Sequence, residues 1–205
     1  MSARDGAAGA VLLAAGRSSR AGTAKALATL AGEPLVVRAA RTLAAAGCAP
    51  IVVVTAAPHA AAIERALCGT PLGYVRNPDP DRGMLSSARL GVAALGGTAR
   101  RRPVVLSLVD HPHVAASTIA ALLGALRGGA AAARPTYAGR GGHPIALSAP
   151  AVAALLQADE HGTLREALRA GGPTLDVPVD DPGVAEDLDT PEALAAAGVT
   201  PGRGG

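Results

Sequence analysis

Short runs rich in β-branched residues and leucine alternate along this chain with longer alanine-rich stretches of helical period, and that alternation constrains the fold more than any other feature. It is the pattern of an α/β protein in which a parallel sheet is wrapped by helices. Strands are expected at residues 9–14, 51–55, 72–76, 104–108, 131–135, 144–147 and 173–177. Pro34, Pro58 and Pro191 each stand at or near the first turn of a helix, where proline's missing N–H costs nothing. Further helices are expected over 118–127, ending against Gly128 and Gly129, and over 149–157 and 164–169. The chain lacks phenylalanine and tryptophan and has two tyrosines, so Ala, Val, Leu and Ile must build its core. Such small side chains let helices lie close on a sheet. At 205 residues, 49% of them apolar, one sizeable core is expected, spanning about 8–198, with a frayed tail over 201–205.

The charge balance, 19 basic against 16 acidic residues, is nearly even and the cations are scattered. Arg100, Arg101 and Arg102 form the one run, and just before an apolar strand they read as a solvated loop; no nucleic-acid partner is expected. Cys48 and Cys68 lack CxxC spacing, and the five histidines form no zinc pattern. No apolar run approaches the ~20 residues that span a bilayer, and the first apolar stretch reads as a strand rather than a leader. A cytoplasmic protein without a membrane partner is expected.

In an open α/β sheet, ligands bind beyond the carboxyl ends of the strands, so the loops after the first and fourth strands hold the candidate chemistry. The first runs Leu13, Ala14, Ala15, Gly16, Arg17, Ser18, Ser19, Arg20, Ala21, Gly22, Thr23, Ala24, Lys25. Its small residues let backbone amides reach an anion, and two arginines and a lysine follow within nine positions; Lys25 is the only lysine in the chain. The loop fits neither the Walker A pattern nor GxGxxG, so it reads as a phosphate loop of another type. The fourth strand ends on Asp110, followed by His111, Pro112 and His113. A carboxylate there either binds a magnesium ion that bridges phosphate oxygens or caps the next helix. A second acidic run, from Glu186 through Asp187 and Asp189 to Glu192, offers the same two readings; alternation turns Asp187 and Asp189 the same way.

These residues together resemble the molybdenum cofactor cytidylyltransferase family, within the wider group of Rossmann-like nucleotidyltransferases. The opening motif is met by Leu13, Ala14, Ala15, Gly16, Ser18, Arg20, Gly22 and Lys25. Asn77 with Gly83, Met84, Leu85, Ser86 and Ser87 resembles the nucleotide-binding segment. Asp110 with Pro112 matches the metal-binding aspartate and its proline, and Gly142, His143 and Pro144 match a loop near the acceptor. Asp187, Leu188, Asp189, Thr190, Pro191 and Glu192 resemble the closing motif that supplies a second metal contact.

The resemblance implies a three-layer Rossmann-like sandwich with a mostly parallel central sheet. It also implies roles. Leu13, Ala14, Ala15, Gly16, Arg17, Asn77, Ser86 and Ser87 would bind the nucleotide; Arg20 and Lys25 would neutralise the triphosphate. Asp110 with Asp189, or Asp187, would hold Mg²⁺, and His111, Gly142 and His143 would face the acceptor. His143 reads equally well as a turn cap. The implied reaction moves CMP from CTP to molybdenum-loaded molybdopterin, releasing pyrophosphate and forming the cytosine dinucleotide used by molybdenum hydroxylases, one of which would be the partner. Alternatives are GTP, another phosphorylated acceptor such as a sugar phosphate, or a non-catalytic cofactor-binding maturation protein. Three positions depart from the family pattern: Ala21 for methionine, Ala24 for proline, and His111 for glutamine.

Overall fold

The computed structural model describes residues 7–16 and 25–200. The chain forms β1 (Gly9–Leu13), the short β2 (Thr29–Leu30) and β3 (Glu33–Pro34), α1 (Leu35–Ala45), β4 (Ile51–Thr55), α2 (Ala60–Ala66) and β5 (Gly73–Arg76). Then come α3 (Met84–Ala94), α4 (Gly97–Arg101), β6 (Val104–Leu108), α5 (Ala116–Arg127), β7 (Ala132–Tyr137) and β8 (Arg140–Gly141). β9 (Ile145–Leu147), α6 (Ala149–Gln157), α7 (Leu164–Ala170), β10 (Thr174–Pro178), α8 (Pro191–Ala196) and β11 (Val199–Thr200) follow.

The main sheet has the order β10-β7-β9-β6-β1-β4-β5, with β8 on β7. Its β6, β1, β4 and β5 are parallel neighbours, as are β7 and β10. Only β9 and β8 run antiparallel to the strands they meet. Side chains that alternate along a strand feed two layers. Ala10, Leu12, Ile51, Val53 and Val105 pack against Val36, Leu43, Ile63 and Leu122 from α1, α2 and α5. Their neighbours Val11, Leu13, Val52, Val54, Val104 and Leu106 pack on the opposite side against Leu85, Val92, Ala99, Val152 and Ala167 from α3, α4, α6 and α7. The result is a Rossmann-like three-layer sandwich with a mostly parallel sheet.

One helix was not expected and one expectation needs correction. Residues 84–94, whose start resembles the nucleotide-binding segment and where no helix was placed, form a full helix, α3. Gly91 explains its fit: a Cβ there would lie 2.3 Å from a methyl of Val11 and 2.8 Å from one of Val54, so only glycine lets α3 seat on β1 and β4. Arg100 and Arg101 belong to the last turn of α4 rather than to a loop.

The chain passes from β1 to β4 and β5 on one side, then returns to β6 on the other. Leu13 is in register with both Val54 and Leu108, so β1, β4 and β6 end level at one edge of the sheet, beyond which an α/β sheet carries its ligand crevice. A second, three-stranded sheet, β11-β2-β3, borders that edge. Ala28, Leu35, Leu188 and Val199 bury themselves in a satellite core there with Leu194 of α8. Burying Leu188 fixes the two acidic residues that flank it. Among the described residues, no helix is long and apolar enough to cross a membrane.

Candidate active site

The crevice gathers charged groups from three distant parts of the chain. Asp110 extends one turn beyond β6, and the amide of Leu188 donates to its carbonyl at 3.2 Å, tying the closing acidic run to the end of that strand. One carboxylate oxygen from each of Asp110, Asp187 and Asp189 lies within 4.8 Å of the others. The Lys25 ammonium donates to Asp189 Oδ1 and stands 3.5 Å from Asp110 Oδ2. A 3₁₀ turn, Lys25–Leu27, holds it by burying Ala26 beneath.

Neither helix-capping alternative survives. The N-terminus of α5 lies at Ala116, where Asp181 takes the part expected of Asp110: its buried carboxylate accepts from Ala115 N at 2.9 Å, Thr118 Oγ1 at 2.6 Å and Gly183 N at 3.1 Å. Thr190 caps α8 through Ala193 N, leaving Asp187 and Asp189 to face the cluster. Sequence reading missed Asp181. Its signal was the Asp181-Pro182 pair, a turn-initiating combination overlooked beside the more acidic run that follows.

The donor set suits a hard divalent cation, which prefers carboxylate oxygens. Asp110 Oδ1 is buried with no hydrogen-bond partner among the described residues, a cost that a cation would relieve. The Asp187 carboxyl is pushed up to about 6, first by loss of water and then by its hydrogen bond with Asp189 and the negative charges of Asp110 and Asp189.

Ala14 and Ala15 are buried at the end of β1, and the Ala14 amide is used in a bond to Val54 O. Gly16 is exposed, and among the described residues no atom lies within 4 Å of where its Cβ would stand. Arg17, Ser18, Arg20 and Gly22 lie outside the described residues. Across the crevice Asn77 is 4% exposed, and its amide donates to the hydroxyls of Ser86 and Ser87, both at 2.9 Å, while its Oδ1 accepts from Asp79 N at 3.0 Å. All four capacities of Asn77 but one are thereby occupied, so it sets the serines in place.

His111 and His143 pack their rings 5.2 Å apart, and His111 Nε2 lies 3.9 Å from Asp110 Oδ1. The His143 amide is bound to Val184 O, and its ring Nδ1 is buried with no hydrogen-bond partner among the described residues, so Nδ1 caps no described turn. Burial, then the neighbouring His111, lowers its pKa to about 4, against a weaker opposing pull from Asp110. A histidine protonated more readily when unfolded withdraws stability as pH falls through the interval between the two pKa values, here from about 6.5 to about 4. The wild-type protein is expected to lose on the order of 2–3 kcal/mol over that interval from this group. Urea unfolding at pH 7.5, 6 and 5 should show a flatter dependence for His143→Asn; an unchanged slope would contradict the assignment.

The MobA-like NTP transferase domain family matches residues 10–176 of the chain. Among solved structures, the fold is similar to Rv0371c from Mycobacterium tuberculosis H37Rv, at 25% identity and a TM-score of 0.77 over 93% of this chain and 97% of that one. A manganese complex of Rv0371c superposes with a TM-score of 0.73 at 24% identity, covering 94% and 97%. A nucleotidyl transferase from Methanothermobacter thermautotrophicus superposes with a TM-score of 0.75 at 24% identity, covering 93% and 95%. No curated protein matches by sequence.

Proposed function

The chain belongs to the MobA-like NTP transferase domain family and is a nucleotidyltransferase, and from that premise we propose that it transfers CMP from CTP to molybdenum-loaded molybdopterin with the help of Mg²⁺. The observation that carries this reading is the convergence of Lys25, Asp110, Asp187 and Asp189 at the crevice beyond the ends of β1 and β6. Such transfer needs positioning and charge cancellation and no covalent catalysis by the protein.

Gly16, which lacks a side chain, would let the triphosphate come close to the backbone beside the end of β1. Ser86 and Ser87, held by Asn77, border the nucleoside, and the tandem alanines before Gly16 favour cytidine. Lys25 stands where negative charge grows as an acceptor phosphate oxygen attacks the α-phosphorus and the bond to the β-phosphate breaks, releasing pyrophosphate. Asp110, Asp187 and Asp189 would hold the divalent cation, which when bound supplies positive charge to the phosphate oxygens. His111 and His143, with Gly142, border the acceptor. His143, kept neutral by burial, can donate or accept one hydrogen bond there without adding charge.

Purified protein with Mg²⁺ and molybdenum-loaded molybdopterin should release pyrophosphate with CTP and at least tenfold more slowly with GTP, ATP or UTP. Release with GTP instead would overturn the nucleotide assignment. Release with CTP only when a sugar phosphate replaces molybdopterin would overturn the acceptor and leave the reaction class intact.

A further inference from the structure

A cavity of about 350 Å³ opens on the outer side of α3, away from the carboxylate cluster. It is within the range of small-ligand sites. Leu90 and Ala93 of α3 and Leu156 of α6 line it with an apolar surface, and Arg82 and Arg89, with the carboxylates Asp79 and Glu160, line it with charge. Both guanidiniums reach across to the same loop, between α6 and α7. Arg82 Nη2 lies 3.0 Å from a Glu160 carboxylate oxygen and 3.4 Å from the Glu160 carbonyl, and Arg89 Nη1 donates to Ala158 O at 2.9 Å.

From this arrangement we propose a second ligand site, adjoining the nucleotide segment at Asn77 and Ser86, that takes a small organic anion: a phosphate monoester or carboxylate carrying an apolar body. The anion would seat between Arg82 and Arg89 and its body on the leucines. Three features support this. The Arg82–Glu160 pair is exposed, with side-chain accessibilities of 40% and 60%, and exposed pairs hold together weakly, so an incoming anion exchanges with Glu160 at little cost. A guanidinium carries five donors in a fork that matches phosphate and carboxylate, and the cavity has two such forks, Arg82 from the 3₁₀ turn Pro80–Arg82 and Arg89 from α3. The apolar surface then discriminates a substituted anion from free phosphate. Glu160 acts as a gate, occupying in the empty site the position the ligand's charge takes.

The site also borders the nucleotide segment. Asn77 and Ser86 contribute to its wall, and Ser86 donates to Gly83 O beside Arg82. An occupant thus touches the turn that presents Ser86 and Ser87.

Phenyl phosphate and benzoate serve as probes and benzyl alcohol as the neutral control, titrated into ¹⁵N-labelled full-length protein and followed by NMR. Saturable shifts are expected at residues 82, 89–93 and 156–161 with one or both anions and none with the alcohol. Arg89→Met should weaken binding about tenfold or more. Glu160→Gln, which removes the gate charge, should strengthen it severalfold, a gain that a misfolded variant cannot imitate. Three results would overturn the proposal: no saturable shift with either anion, affinity unmoved in both variants, or displacement of the probe by CTP with shifts centred on residues 14–16 and 110, which would place it in the catalytic crevice. Pyrophosphate release is not read in any arm, so failure here leaves the proposed reaction untouched.

Discussion

Lys25→Ala is expected to slow pyrophosphate release about 10²- to 10³-fold, the range seen when one preorganised charge stabiliser is removed. No other lysine exists to substitute for it, and its side chain, 12% exposed, is held by two carboxylates rather than sampling solvent. Low exposure strengthens its field at the reacting phosphates, because less water screens it. Lys25→Arg should recover part of the rate, since charge returns but the planar fork is bulkier than the ammonium it replaces. The companion variant separates two roles. Asp110→Ala removes a proposed cation ligand and should lose both turnover and Mn²⁺ binding measured by titration calorimetry. Lys25→Ala should keep Mn²⁺ binding or tighten it, because a positive charge leaves the carboxylate cluster. A Lys25→Ala enzyme of near-normal rate would remove Lys25 from the mechanism, and parallel loss of metal binding would make it a structural counter-ion only.

The parallel half of the sheet was legible because strands buried on both faces read as unbroken apolar runs: residues 51–55 and 104–108 match β4 and β6 to the residue. What escaped depends on long-range packing. In α3, Ser86, Ser87 and Gly91 weaken the helical signal; the helix exists because Gly91 fits between Val11 and Val54, a contact invisible to local pattern. The reversal of β9 has no marker in three residues, Ile145, Ala146 and Leu147, that pair equally well in either direction. In the crevice the reverse holds: Lys25, Asp110, Asp187 and Asp189 stood out by type and placement, and the structure brings all four together. What local sequence lacked was the means of assembly. Leu188 reads as one more apolar residue, yet its burial and its amide bond to Asp110 O are what orient the aspartates on either side of it.

That dependence on backbone fit makes Gly142→Ala the second severe substitution, although it adds a single methyl group. A Cβ at Gly142 would lie 1.8 Å from the carbonyl oxygen of Val184 and 2.5 Å from its carbon. Neither partner can move freely. The Gly142 amide is bound to Pro135 O at 2.9 Å, and the same Val184 oxygen accepts from His143 N. Behind Val184 the retreat is closed as well, since Gly183 packs so tightly that a Cβ there would stand 2.5 Å from the backbone of His113. The segment 183–184 must therefore shift by about 1 Å, and three residues later it carries Asp187. Displacement of that size at a catalytic group costs about 10²-fold in rate, and the overpacking itself about 3 kcal/mol of stability. Gly124→Ala is the control: it lies in α5 with 3.6 Å to the nearest side-chain atom, so it should keep full turnover and gain up to ~1 kcal/mol. If thermal unfolding and turnover of Gly142→Ala match the parent, residues 142 and 184 are not in the tight contact that joins the loop at Gly142, the proposed acceptor loop, to the acidic run, and the two act independently.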